Sequence, residues 1–162
     1  MKTKILALIL VSALVLGITT PTSAAGTITV KPSGMNGWAF LLETGASGTG
    51  DFVAGPGTAP LGSGSAHLTL GGASDGMLIG VADYGGTKFS DITTLNYSTY
   101  QSLTSTSTVQ AISLQFNVDN DVTDLDNGWK GRLVFEPYFS ETVPHGTCQT
   151  WDPLTHGRWW GT

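Results

Sequence analysis

Apolar positions along this chain come in short bursts, separated by clusters of glycine, serine, threonine and aspartate. Beyond the first 25 residues the bursts fall at 27–30, 38–42, 51–53, 66–70, 77–81, 91–92 with 95–100, 111–119 and 131–139. No window repeats its apolar residues every ~3.6 positions, so no amphipathic helix is predicted. The clearest element is 111–119, where Ile112, Leu114, Phe116 and Val118 alternate with Ser113, Gln115, Asn117 and Asp119. Such alternation marks a strand with one face covered and the other in water. In 131–139, Leu133, Phe135 and Phe139 share one parity, and Arg132, Val134, Glu136 and Tyr138 share the other. The turn-rich segment 120–130 between them predicts a hairpin. Setting Phe116 and Leu133 on a common core face pairs even-numbered residues with odd ones. A slip of one residue would turn every apolar side chain outward. The same register gathers Gln115, Asn117, Arg132, Glu136 and Tyr138 on the opposite, polar face. Pro137 has no N–H for a ladder, which predicts a strand edge or bulge there. The Ser/Thr run at 102–108 is too polar for a core and reads as a loop.

About eight short strands at this spacing predict an all-β chain folded as an antiparallel β-sandwich, jelly-roll-like in form. Composition points the same way. The 162 residues include 22 Gly and 7 Pro, and only 12% are charged. A coiled coil or helical bundle would need far more Glu, Lys, Ala and Leu. The 12 Asp+Glu outweigh the 7 Lys+Arg, a net charge of −5. That balance excludes a protein whose affinity rests on neutralising a phosphate backbone, so no nucleic-acid partner is expected. A hydrophobic share of 40% excludes a solvated disordered chain.

Residues 1–25 read as a signal peptide. Lys2 and Lys4 form a positive start, residues 5–18 are apolar apart from Ser12 and Gly17, and Ser23-Ala24-Ala25 offers small residues for cleavage before Gly26. The alternative, a membrane anchor, wants a longer run of roughly 20 apolar residues. Cleavage leaves 26–162 as a single β-sandwich domain. It also removes both lysines, taking the net charge from −5 to −7. No membrane span remains after cleavage, so a secreted or cell-surface protein is expected. Cys148 is alone, which precludes an intrachain disulfide. A buried small side chain is its simplest role, and no partner stands at zinc-ligand spacing.

Three groups of residues carry candidate chemistry. Trp151, Trp159 and Trp160 crowd the last dozen positions beside Asp152, His156 and Arg158. Indole faces stack on the C–H faces of sugar rings, while carboxylates, amides and guanidinium groups bind the hydroxyls. The alternative is that these tryptophans fill the core. Adjacent Trp159 and Trp160 point to opposite faces if extended, so at most one is core. The polar hairpin face, Gln115, Asn117, Arg132, Glu136 and Tyr138, could line a shallow saccharide groove or be an ordinary solvated face with an Arg–Glu pair. Asp119, Asp121, Asp124 and Asp126 form a candidate calcium loop, because Ca²⁺ takes about six to eight oxygen ligands. The alternative there is a solvated acidic hairpin tip. It is not an EF-hand, since Asp124 stands where the sixth-position glycine belongs and Lys130 where the twelfth-position glutamate belongs. No catalytic residue is assigned. Glu136 and Glu141 fall on opposite faces of a regular strand, which prevents a two-carboxylate glycosidase pair. Residues 62–66 lack the G-x-S-x-G order.

Three stretches form a pattern: Phe52-Val53-Ala54-Gly55-Pro56-Gly57-Thr58-Ala59-Pro60-Leu61-Gly62-Ser63-Gly64-Ser65, then Leu95-Asn96-Tyr97-Ser98-Thr99-Tyr100, then Gly131-Arg132-Leu133-Val134-Phe135-Glu136-Pro137 with Thr150-Trp151-Asp152. Together they resemble a family of exported bacterial β-sandwich domains without an assigned activity. Their architecture is similar to that of jelly-roll carbohydrate-binding modules and lectins. The resemblance implies a non-catalytic extracellular or cell-surface binding domain with a polysaccharide or surface glycan as partner. It implies no catalytic residue and no cofactor beyond the calcium the acidic loop could hold. Family members continue past the Trp-Trp motif with further strands, which implies that the sandwich is incomplete at Thr162. Cys148 stands where the family tends to carry a large aromatic. Two other readings compete: a structural surface or matrix domain that contacts other proteins, and a concanavalin-like glycosidase or polysaccharide lyase.

Overall fold

The computed structural model describes residues 26–45, 47–107, 109–121, 123 and 129–162. The export segment expected at 1–25 lies outside them. The described chain is all-β: nine short strands in four small antiparallel sheets, with two single-turn 3-10 segments. The strands are β1 (Ala39–Thr44), β2 (Thr49–Ala54), β3 (Gly64–Thr69), β4 (Gly76–Gly80), β5 (Tyr97–Tyr100), β6 (Leu114–Val118), β7 (Gly131–Phe135), β8 (Cys148–Trp151) and β9 (Trp159–Gly161). No helix among the described residues is long and apolar enough to cross a membrane.

Pairing is nested twice. β1 pairs with β4 and encloses the β2–β3 pair; β5 pairs with β8 and encloses the β6–β7 pair. β9 then returns to the free side of β7. In the first set the Phe40 and Phe52 rings meet edge-on, 5.1 Å between centroids. Gly50 makes that approach feasible, because a Cβ there would run into the Phe40 ring. Asp51 and His67 face each other across β2–β3 and their side chains meet at 3.1 Å.

The second set holds the core. Every buried residue among those described falls between positions 131 and 153, and the apolar ones include Val134, Phe135 and Trp151. On one face of β6–β7–β9, Phe116, Phe135 and Trp159 form a continuous ring cluster with centroids 5.7–5.9 Å apart. Phe89, from the 3-10 turn Phe89–Asp91, closes it edge-on against Trp159 at 5.4 Å. Tyr97 of β5 meets Phe135 edge-on at 6.1 Å, joining the β5–β8 pair to this sheet. Its hydroxyl donates to the Ile112 carbonyl at 3.0 Å, and burial pushes its pKa well above the usual phenol range.

The hairpin register matches the alternation: Leu114 pairs with Phe135, Phe116 with Leu133 and Asn117 with Arg132. Four expectations need correction. Residues 27–30 form no strand: among the described residues no backbone ladder pairs with them, and the chain makes an isolated bridge between Lys31 and Gly34. Strand β7 stops at Phe135 rather than running to 139. Pro137 opens a 3-10 turn, Pro137–Phe139, which ends the ladder and swings Phe139 out to 48% exposure instead of into the core. The C-terminal tryptophans divide between two strands, β8 and β9, on different sheets. Trp151, a candidate surface platform, is only 1% exposed and fills the core.

Candidate functional site

The face of β6–β7–β9 opposite the ring cluster is fixed by the same parity that builds the core, and it is covered at Val134 and exposed at Trp160. Gln115, Val134 and Trp160 form one cross-strand row, and Asn117 and Arg132 form the next. Trp159 faces inward and Trp160 outward, as consecutive residues of a strand must. The β8–β9 loop sets this orientation. Gly157 packs against the Pro153 backbone where any Cβ would collide, and the Trp159 indole N–H donates to the Pro153 carbonyl at 3.0 Å. With Trp159 held inside, Trp160 stands out at 40% exposure.

The five polar candidates separate into two groups. In the first, the Arg132 guanidinium donates to Asn117 Oδ1 at 3.0 Å and to Gln115 Oε1 at 2.9 Å, and it pairs with the Glu43 carboxylate of β1. These side chains satisfy one another, tie β7 to β6 and reach across to the first strand set. Glu43 is a partner that sequence reasoning missed: it lies 89 positions from Arg132, so no local pattern marks the contact.

In the second group, Glu136 and Tyr138 sit with Trp160 around an open groove of roughly 520 Å³, lined also by Phe139, Arg158 and Trp159. Interaction with the Glu136 carboxylate raises the pKa of the Tyr138 phenol, with desolvation and the Glu136 charge acting in the same direction. The Tyr138 and Phe139 rings lie 4.3 Å apart at 32°, forming one aromatic wall. Arg158 lines the same groove, its backbone N–H donating to Ser140 Oγ at 3.1 Å. That bond ties the approach to β9 to the 3-10 turn. The groove therefore lies between the Pro137 turn and β9. Phe139 joins it through the turn that Pro137 forces, where the sequence pattern predicts a core position, and Arg158, noted in the sequence beside the tryptophans, joins it through the β8–β9 loop.

Trp151 offers no surface to a ligand. Its indole N–H donates to Thr99 Oγ1 at 2.8 Å inside the core. The neighbouring Asp152 accepts from the Thr155 backbone N–H at 3.1 Å, and the hydrogen bonds from Thr155 hold its pKa below the usual carboxylate range. Of the acidic loop, Asp119 and Asp121 are described, while Asp124 and Asp126 lie outside the described residues. Asp119 Oδ1 accepts from the Asp121 N–H and Asp121 Oδ1 from the Thr123 N–H, each at 2.9 Å. The hydroxyl and N–H of Thr123 keep the Asp121 pKa low. Among the described residues no three His, Cys, Asp or Glu side chains gather as a metal site. The Cys148 thiol is free and half-buried, 3.7 Å from the Pro56 carbonyl.

The chain matches no protein-family model, no curated protein and no solved structure.

Proposed function

We propose that this chain is an exported, non-catalytic domain that binds saccharide on an extracellular polysaccharide or cell-surface glycan. The observation that carries the reading is Trp160, an indole 40% exposed on the rim of a groove that also presents Tyr138, Glu136 and Arg158. A sugar needs an apolar face for its C–H side and charged or amide groups for its hydroxyls, and this groove has both. Gln115, Asn117 and Arg132 act in this reading as the rigid floor beside it, since their polar atoms already bond one another. The apolar start at 5–18 and the small residues at 23–25 support export.

The proposal includes a jelly-roll-like sandwich. Two nested strand sets support it, as does the Tyr97–Phe135 contact that brings one sheet against another. A structural, protein-contacting role has one observation in its favour: Leu41, Leu42 and Leu70 are each 50–53% exposed on the first strand set. Calorimetric titration against a glycan panel separates the two. Saccharide binding predicts a hit that Trp160→Ala removes without lowering the melting temperature. A folded protein that binds no glycan overturns the reading.

A further inference from the structure

We propose that the groove selects an anionic saccharide, a sugar unit carrying a carboxylate, and that Arg158 is the residue that recognises the charge. This rests on the saccharide reading above. Two arginines lie on this side of the molecule, and they differ in what they already hold. Arg132 has acceptors from Gln115, Asn117 and Glu43. Arg158 has its backbone anchored to Ser140, yet among the described residues its guanidinium has no hydrogen-bond or ion-pair partner. The Glu136 carboxylate and the Tyr138 hydroxyl line the same groove. The site thus offers one uncommitted cation beside an open indole.

A guanidinium is a planar fork of donors that matches a carboxylate with two parallel hydrogen bonds. A uronic acid presents that carboxylate at the edge of its ring, while the ring's C–H face remains free to stack. Trp160 and Arg158 are separated by a single residue and line one groove, so one sugar unit can meet both. A neutral sugar would use the indole and leave the cation in water. The selectivity therefore resides in Arg158 and the stacking in Trp160.

The test compares trigalacturonate with its methyl-esterified, neutral form by calorimetric titration. The expected result is at least about tenfold tighter binding of the acid, the size of a charge-assisted hydrogen bond. Arg158→Gln should reduce the acid to the affinity of the ester with an unchanged melting temperature, and Trp160→Ala should remove binding of both. Equal affinity of the native protein for acid and ester overturns the inference, as does an Arg158→Gln protein that keeps the preference; in both cases saccharide binding itself stands. Binding of some neutral glycan but neither galacturonate also overturns it. Silence across the whole panel overturns the saccharide reading as well.

Discussion

The two nested strand sets share a pairing pattern and differ in what lies between their strands. In β1–β4 no residue is buried, and Leu41 and Leu42 are half-exposed. In β5–β9 lie Val134, Phe135 and Trp151, each at most 2% exposed. The cause is visible in side-chain size. β2, β3 and β4 contain Gly50, Gly64, Gly76 and Gly80, and among the described residues the ring contact there is the edge-on Phe40–Phe52 pair. The second set brings Phe116, Phe135 and Trp159 into one ring cluster, with Phe89 and Tyr97 closing it. Backbone pairing alone does not make a core; large apolar side chains of the right parity do. The groove is built on the set that has them, where a rigid base can hold Trp160 outward.

Removing one ring from each set should give the largest difference between them. Phe135→Ala leaves a cavity in the buried cluster and should cost about 3–5 kcal/mol. Phe40→Ala removes a part-exposed ring and should cost only about 1–2 kcal/mol. Urea denaturation of the two variants checks the order, and equal losses would mean that both sets are packed alike.

Alkaline pH separates the sets next. Burial raises the Tyr97 pKa, so the folded state favours the neutral phenol. Its contribution is complete below the ordinary tyrosine value of about 10 and is lost as pH climbs from there toward the folded value. Melting temperature should therefore fall above about pH 10. Tyr97→Phe should start about 1 kcal/mol less stable, having lost the bond to Ile112, and should fall later. An alkaline melt unchanged by Tyr97→Phe would place the cost of ionisation elsewhere.

The smallest effect is the link between the sets. Glu43 and Arg132 are each about a third exposed, so a double-mutant cycle should give a coupling of about 0.2–1 kcal/mol that shrinks with added salt. Zero coupling at low salt would leave the sets without this tie.

The sequence made the β6–β7 hairpin legible because its period of two admits one register that buries Phe116 and Leu133. The opposed directions of Trp159 and Trp160 followed from the same parity. Glu136, Tyr138 and Arg158 were visible as polar or aromatic candidates, but other parts of the site had no local signal. β9 has three residues, too few for a period to emerge, and its partner strand β7 ends 24 positions before it. Glu43 reaches Arg132 only through folding. Phe139 shares the apolar parity of Phe135, but the proline between them ends the strand and places it on the groove wall. Trp151 and Trp160 are alike in sequence terms, and only their partner strands send one to the core and the other to solvent.

In the proposed function one tryptophan of this chain meets a saccharide while its neighbours hold the fold. The protein has 5 tryptophans, so indole N–H signals in a nitrogen-15 NMR spectrum report each one separately. Titration with trigalacturonate should move the Trp160 signal progressively and leave that of Trp151, bonded to Thr99 in the core, where it was. A Trp160 signal that stays fixed at saturating saccharide, for this ligand and every glycan tried, would contradict the account.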